Sequence, residues 1–399
     1  MKIGIIREGK TPPDTRVPLD PQQCALLRSE YGLDIVVQPS PIRIFTDDEY
    51  RAKGVPVVEY IGDRDLLLGV KEVPIDELIP GKTYSFFSHT HKEQVYNRPL
   101  LKAILDKHIH LIDYEVMTDK LGRRIIAFGY FAGVVGAHNG FWTFAQRSGT
   151  FELPRMKDLY NYEEAKAVYH ELELPPIKIA LTGTGRVSTG AAQVLEDMGI
   201  RQVSPGDFLK EEYNEPVYVQ LVSRDYLRHK DGLPFDKLQF YQHPEQYVSA
   251  FEPFAEVADM MLNGIYWDSR APAFFSQEQM ASEGFKIKVI ADITCDIAPV
   301  SSIPSTLRAS TIADPVFGYD PKTGQETEPY QPGVVDMMTI DNLPSELPRD
   351  ASTAFGKMYI EQVLPHMLAP NSAMIERATI ARNGRLGPQF GYLLDFVNG

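Results

Sequence analysis

At 399 residues the chain exceeds what one ordinary core usually supports, so two domains of roughly 150 to 200 residues are expected. Hydrophobic residues at 43% and charged residues at 24% are typical of globular proteins and exclude a disordered, collagen-like or disulfide-scaffold chain. With 40 basic against 54 acidic side chains the formal charge is −14, which argues against nucleic acid or an anionic membrane as partner and for small molecules, although a local basic pocket can still hold a small anion.

The opening Met1-Lys2-Ile3-Gly4-Ile5-Ile6-Arg7-Glu8 lacks the apolar centre of a signal peptide, and no later stretch reaches the ~18 apolar residues of a membrane span. A cytoplasmic protein is therefore expected. Short apolar runs at 3–6, 35–37, 66–70, 84–87, 109–112 and 125–128 alternate with helical-looking stretches, which predicts an α/β domain with a mainly parallel sheet. The Gly-rich aromatic stretch 128–136 reads as the crossing to a second domain, followed by helix to about residue 172. A second series of strands begins at 177–182 and continues at 217–222 and 287–290, whereas 314–332, rich in Pro, Gly and Asp, reads as loop. Beyond 344, Phe355, Met358, Tyr359, Val363 and Met367 recur at helical spacing, so a terminal helix is expected to return to the first domain. The expected architecture is two Rossmann-like domains with mainly parallel sheets and an interdomain cleft. Residues 1–135 plus 345–399 form the substrate and catalytic domain, and 136–344 the dinucleotide-binding domain.

The clearest motif is Gly183-Thr184-Gly185-Arg186-Val187-Ser188, placed between a β-like run and an amphipathic helix, the setting a dinucleotide turn requires. Gly183 allows the tight turn, Gly185 lets a pyrophosphate approach the backbone, and the helix N-terminus offers its free N–H groups. The second strand of this unit reads as ending near Val203-Ser204-Pro205, without the acidic residue that usually holds a ribose 2′-hydroxyl. Arg186 or Arg224 is placed to accept a 2′-phosphate and Asp207 to hold the ribose instead, so NAD and NADP both stay open.

In an open α/β sheet, ligands collect beyond the carboxyl ends of the strands. The charged residues there are Lys71 and Glu72, then His89, His91 and Lys92, then Asp113 and Glu115, an amine, imidazoles and carboxylates suited to acid–base work. Arg16 precedes the first helix and is a candidate fork for a substrate carboxylate. Asp292 ends a strand of the second domain and is a candidate for the nicotinamide side. The pairs His89/His91 and His108/His110 lack a matched third ligand, and Cys24 and Cys295 lie far apart outside any CxxC motif, so no metal is expected and a reducing compartment fits best.

Gly69-Val70-Lys71-Glu72, Phe87-Ser88-His89-Thr90-His91-Lys92, Leu111-Ile112-Asp113-Tyr114-Glu115, the 128–133 stretch and the 183–188 turn together resemble lysine-forming saccharopine dehydrogenase. The likeness is greatest to the lysine–ketoglutarate reductase half of the bifunctional animal and plant enzyme, within the superfamily of alanine dehydrogenase and transhydrogenase. Asn263-Gly264-Ile265-Tyr266-Trp267 and Ile340-Asp341-Asn342-Leu343-Pro344 agree, and the likeness runs nearly the whole chain. It implies a reversible reaction in which the ε-amine of lysine condenses with 2-oxoglutarate and a nicotinamide hydride reduces the imine to saccharopine. It also implies that Lys71 and His89 are the acid–base pair, that Glu72 and Glu115 tune them, and that Asp292 lies near the nicotinamide. Saccharopine's three carboxylates call for cations, for which Arg16, Lys92, Arg123 and Arg124 are candidates. The second catalytic half of the bifunctional enzyme has no counterpart in this sequence, so a glutamate-releasing step is expected on another polypeptide. The competing readings are an alanine-dehydrogenase-like deaminase of a smaller amino acid and a non-catalytic dinucleotide sensor; a monomer or small homo-oligomer is expected in each case.

Overall fold

A computed structural model describes residues 1–399, which divide into two compact units, Met1–Phe128 with Pro348–Gly399, and Gly129–Leu347. The sequence expectation placed these divisions at 135/136 and 344/345. No helix is long and apolar enough to cross a membrane.

The first unit is built on a seven-stranded sheet. Strands β1 (Lys2–Ile5), β2 (Asp34–Val37), β3 (Leu66–Leu68), β4 (Thr83–Phe86) and β5 (His110–Asp113) are mutually parallel, in the order β5-β4-β3-β1-β2. Thr379–Arg382 adds antiparallel beside β5, and Arg385–Leu386 closes that edge. Both faces of the sheet are covered, so these strands are continuous apolar runs rather than alternating ones. Because they run in parallel, their carboxyl ends lie along one edge about 4.8 Å apart. Leu68, Ser85 and Ile112 stand in one register across β3, β4 and β5. Lys71, His89 and Glu115 follow three or four residues later, so the pairing alone brings these loops side by side.

Helix Pro21–Tyr31 starts sharply because Asp20 accepts from the Gln23 amide at 2.8 Å and Gln23 accepts from the Asp20 amide at 3.0 Å, with proline in the first turn. It stops at Gly32, whose φ of 63° is left-handed. The returning C-terminal segment locks onto it. The Val17 amide donates to Ser352 Oγ at 3.0 Å, Gln23 Nε2 to the Thr353 carbonyl at 2.7 Å, and Thr353 Oγ1 to Asp20 at 2.8 Å. Helix Pro348–Met358 then passes through a π-turn, Tyr359–Val363, immediately before Pro365, whose missing N–H breaks the regular ladder.

Residues 125–128, expected as a strand, are not one. Both edges of β5 are already taken, by β4 and by Thr379–Arg382, so the run has no strand to pair with. It instead delivers Phe128 onto Phe355, stacked at 4.6 Å and 12°.

The second unit opens with the 20-residue helix Gly129–Ser148. The glycines read as a domain crossing are its first turns. They serve helix packing: a Cβ on Gly133 would lie 1.8 Å from the Val187 carbonyl oxygen, and one on Gly190 2.0 Å from that of Tyr130. Helices Gly129–Ser148 and Arg186–Asp197 therefore meet backbone to backbone.

The sheet of this unit comprises β6 (Lys178–Thr182), β7 (Arg201–Gln202), β8 (Val217–Leu221), β11 (Met260–Asn263), β12 (Val289–Asp292), β13 (Val316–Asp320), β14 (Gln325–Thr327) and β15 (Val335–Met338), in the order β14-β13-β15-β12-β11-β6-β8-β7. A separate antiparallel ribbon joins β9 (Leu227–His229) to β10 (Tyr247–Ser249). Strand order reverses on either side of β6, the switch point where such sheets bind ligands. The expected loop at 314–332 contains the β13–β14 hairpin. Its turn residues suit a loop, but Val316-Phe317-Gly318-Tyr319 pair antiparallel with β15, a partner local composition does not reveal.

Candidate active site

Asp113, the last residue of β5, organises the carboxyl edge of the first sheet. Fully buried, it accepts from the Ser88 amide at 2.8 Å, from Ser88 Oγ at 2.5 Å and from the Glu115 amide at 2.7 Å. One carboxylate thus fixes both the turn carrying His89 and the turn carrying Glu115. His89 and Glu93 hold left-handed φ values of 54° and 55°, which cost a non-glycine residue about 1–2 kcal/mol and persist only where neighbours impose them. Tyr392, from the C-terminal tail, adds one such restraint by donating to the His91 carbonyl at 2.9 Å.

His89 Nδ1 lies 2.6 Å from Glu72 Oε1, and Glu72 Oε2 lies 2.6 Å from Lys10 Nζ. Burial would raise the Glu72 carboxyl, but the imidazole and the ammonium outweigh it and pull it down to about 2. A carboxylate held so firmly anionic fixes the orientation of the ring. On the other face, His89 Nε2 stands 4.0 Å from Glu115 Oε2, with His91 Nε2 3.8 Å from the same oxygen. Lys92 and Arg124 approach Glu115 Oε1 at 2.9 and 3.4 Å and, against the effect of burial, keep that carboxyl below its usual range. Lys71 is half-buried and its amine makes no ion pair. Burial pushes its pKa down, Arg16 and Lys10 push further, and Asp14 and Glu72 only partly oppose them.

Arg16 is 2% exposed and its guanidinium forks onto Asp14 at 3.0 and 2.6 Å, over the ring of Phe128 at 4.2 Å. The expected carboxylate fork is therefore directed at a side chain of the protein itself. Arg16 reaches the cluster through its charge.

In the second unit, β6 runs into Gly183, whose φ of 92° suits glycine, and a Cβ there would strike Ser188 Oγ at 2.7 Å. Ser188 is buried at the third-glycine position, and its hydroxyl lies 2.9 Å from the Thr182 carbonyl and 3.1 Å from that of Gly264, tying the ends of β6 and β11 together. Gly185 differs: nothing lies within 4 Å of where its Cβ would be, and it precedes the open amides of helix Arg186–Asp197. An unfilled space at a helix N-terminus after a glycine turn fits a dinucleotide pyrophosphate. The turn borders a cavity of about 990 Å³ lined by Gly183, Thr184, Gly185, Ser223, Arg224, Lys237, Tyr241, Tyr266, Trp267 and Phe274, among others.

The strand beside β6 is β8, and β7 lies outermost. The second strand in chain order, β7, ends at Gln202, just before Val203-Ser204-Pro205 as expected, but β8 stands between it and β6 and ends at Leu221, followed by Val222-Ser223-Arg224. Asp207 lies in the first turn of the helix after β7, where its carboxylate accepts from Ser204 Oγ at 2.7 Å and its amide donates back to that N-cap hydroxyl at 3.1 Å, and it does not line the cavity. Neither do Arg186, exposed in the first turn of its helix, and Val187, packed against Gly264. Asp292 is fully buried. It accepts from Thr306 Oγ1 at 2.6 Å, Thr294 Oγ1 at 2.7 Å and Asn263 Nδ2 at 2.9 Å, joining the ends of β11 and β12 to the loop beyond.

Residues 4–135 match the family described as alanine dehydrogenase/PNT, N-terminal domain. The chain is similar to the saccharopine dehydrogenase [NAD(+), L-lysine-forming] of Emericella nidulans, at 28% identity over 92% of this chain and 91% of the relative. This chain is a homologue of the lysine-forming saccharopine dehydrogenases. It is also 31% identical to the alpha-aminoadipic semialdehyde synthases of Arabidopsis thaliana and Bos taurus over 98% of its own length, but it spans only 41% and 47% of theirs. Among solved structures, an L-alanine dehydrogenase shares the fold with a TM-score of 0.67 at 16% identity, covering 100% of both chains. A transhydrogenase from Sinorhizobium meliloti does so at 0.61 and 14%, covering 97% of this chain and 100% of that one.

In this saccharopine dehydrogenase homologue Lys71, Glu72, His89, His91, Lys92, Glu115 and Arg124 share one edge of the first sheet. Arg123 stands apart, exposed and paired with Asp119 at 2.8 Å. Sequence reasoning missed Glu8 and Lys10. Glu8 accepts from the amides of Val70 and Lys71 at 2.6 and 2.9 Å. Both residues follow the apolar run of β1, so the strand-end rule that found Lys71 finds them when it is applied to the first strand as well.

Proposed function

We propose that this homologue catalyses the reversible reductive condensation of L-lysine with 2-oxoglutarate to saccharopine, with Lys71 and His89 as its acid–base pair. The observation that carries the reading is the pairing of a half-buried amine free of any ion pair with an imidazole clamped by an anionic Glu72, on neighbouring strand ends. In the condensing direction, neutral Lys71 takes a proton from the substrate ammonium, and the freed amine attacks the ketone carbon. His89, as imidazolium, protonates the hydroxyl of the resulting carbinolamine, and water leaves as the imine forms. Lys92, Arg124 and Lys10 supply positive charge for the substrate carboxylates, and Arg16 acts on Lys71 through its field. The Gly183–Ser188 turn would hold the pyrophosphate of a reduced nicotinamide dinucleotide, which would supply the hydride that makes the imine a secondary amine.

The coenzyme in this reading is NADP(H). Beyond the end of β8 the cavity is lined by Val222, Ser223 and Arg224, and Lys237 also lines it. The nearby carboxylates are engaged: Asp225 accepts from the Val222 amide at 2.8 Å, and Asp268 from Arg270 at 2.7 and 3.0 Å. A guanidinium without a carboxylate suits a 2′-phosphate rather than a 2′-hydroxyl. Arg224→Ala is expected to weaken NADPH binding by roughly 10- to 100-fold, about 1.4 to 2.8 kcal/mol, and to leave NADH binding within about twofold. Titrating the quenching of protein fluorescence with each coenzyme checks this, and equal losses for both defeat the assignment.

The activity itself is tested by following oxidation of each reduced coenzyme with lysine plus 2-oxoglutarate, then with pyruvate plus ammonia. Turnover in the first mixture supports the proposal. Turnover only in the second makes the protein an alanine-dehydrogenase-like deaminase, and coenzyme binding with turnover in neither makes it a sensor.

A further inference from the structure

The strands that carry Lys71, His89 and Glu115 beyond their carboxyl ends begin, at the opposite edge of the first sheet, around a second cavity. Its volume is about 770 Å³, within the range of small-molecule sites, and its lining belongs wholly to the first unit. The first residues of β3, β4 and β5 line it, together with the segment from His366 to Glu376 and with Arg382. Leu66, Ile112, Met367 and Ile375 contribute its apolar part. Two acceptors stand open there. The Thr379 hydroxyl gives its one proton to the Ile375 carbonyl at 2.8 Å, so it can only accept from His110 Nε2, 3.1 Å away. Nε2 therefore carries the ring hydrogen. Burial, reinforced by Arg382 and partly opposed by Glu376, lowers the His110 pKa to about 4, so the ring is neutral and Nδ1 keeps a lone pair without a partner. Asp65 accepts from the Lys2 amide at 2.7 Å through one oxygen, and its other oxygen has no partner. The donor is Arg382, which uses a single nitrogen, Nη2, on both oxygens of Glu376 at 2.8 and 2.9 Å and leaves Nε and Nη1 unengaged.

We propose that this cavity is a second binding site, for a free α-amino acid with an aliphatic side chain: Asp65 and His110 Nδ1 take its ammonium, the open edge of the Arg382 guanidinium takes its carboxylate, and the apolar residues take its side chain. The strand register sets these groups in a matching order. Asp65 directly precedes Leu66, which pairs with Thr83, which pairs with His110, and Leu111 pairs with Ala381, next to Arg382. The two acceptors thus stand two strand spacings apart, about 9.6 Å, which two side chains bridge with one ammonium between them, and the guanidinium lies on the far side of His110. A simple anion would meet the Asp65 charge and the His110 lone pair with no donor to offer either. A simple amine would leave the Arg382 edge unanswered. One small zwitterion satisfies all three. The site shares no residue with the acid–base cluster, from which the lengths of β3, β4 and β5 separate it.

The test uses the full-length protein without substrate or coenzyme. Isothermal titration and saturation-transfer NMR measure binding of three probes: L-leucine, isoamylamine, which lacks its carboxylate, and isocaproate, which lacks its ammonium. L-leucine is expected to bind with a Kd of roughly 0.1 to 1 mM, and each truncated probe at least about tenfold more weakly. Arg382→Ala and, separately, Asp65→Asn are each expected to weaken L-leucine binding by roughly tenfold. Both residues are exposed, so the fold should hold in both variants, and turnover should stay within about twofold of the parent. Lys71→Met, at the opposite edge, is expected to leave L-leucine binding as it was. Absence of L-leucine binding up to about 10 mM overturns the proposal. So does a truncated probe that binds as well as L-leucine, since the site would then read one charge only. Binding that survives both Arg382→Ala and Asp65→Asn, or that Lys71→Met abolishes, places L-leucine elsewhere and overturns it as well. None of these measurements needs saccharopine formation, so this inference and the proposed function fail separately.

Discussion

Lys71→Met is expected to reduce kcat by roughly 10²- to 10⁴-fold, the range an acid–base group contributes, while the coenzyme Kd stays within about twofold. Methionine keeps most of the length of the side chain and loses the amine. Because that amine makes no ion pair, its removal orphans no buried charge, and the fold should be untouched. His89→Gln is expected to cost roughly 10²-fold, and it will also leave Glu72 with Lys10 as its remaining partner. Steady-state rates across pH, with coenzyme titrations on the same preparations, measure both effects. In Lys71→Met the limb of the profile that reports loss of the amine proton should vanish. Turnover within twofold of the parent protein would remove Lys71 from the chemistry.

Gly133→Ala is expected to destabilise the second unit by about 3 kcal/mol or more, the severe end of overpacking. The added Cβ would sit 1.8 Å from the Val187 carbonyl oxygen, and that oxygen belongs to helix backbone, so no flexible side-chain end can give way. The damage also falls on the turn that leads into helix Arg186–Asp197, so coenzyme affinity should drop with stability. Gly185→Ala is the matched control. Its Cβ enters open space, so the melting temperature should hold, yet the methyl occupies the approach left for a pyrophosphate, and coenzyme binding should weaken alone. Thermal melts with and without coenzyme separate the two, and a Gly133→Ala protein as stable as its parent would contradict the backbone contact.

Much of the candidate site was legible because a parallel sheet covered on both faces writes itself as short apolar runs, and the first charged residues beyond each run lie at the ligand-binding edge. Lys71, His89 and Glu115 follow from that rule alone. The glycine turn was legible for a similar reason, since Gly183 and Ser188 act within six residues of each other. The errors share one cause. Residues 125–128 have strand composition but no free edge, and 314–332 have loop composition but a waiting partner in β15. The glycines at 129–136, read as the crossing between domains, do begin at the division between the two units, and their further use, admitting a second helix, is what residue order did not show.

The alternation of strands and helices, the dinucleotide turn and the acid–base residue types depend on interactions along the chain, within a few residues of each position, and so can be read from residue order. Which strand lies beside β6, and hence that Arg224 rather than Asp207 lines the cavity, depends on pairing between segments far apart in the chain. The same holds for Arg16, whose apparent freedom ends once folding buries it against Asp14. The Glu8 carboxyl meets the Lys71 amide only when β3 lies down beside β1. Partners and burial set what each charge costs and what it can do, and both come into being only with the tertiary fold.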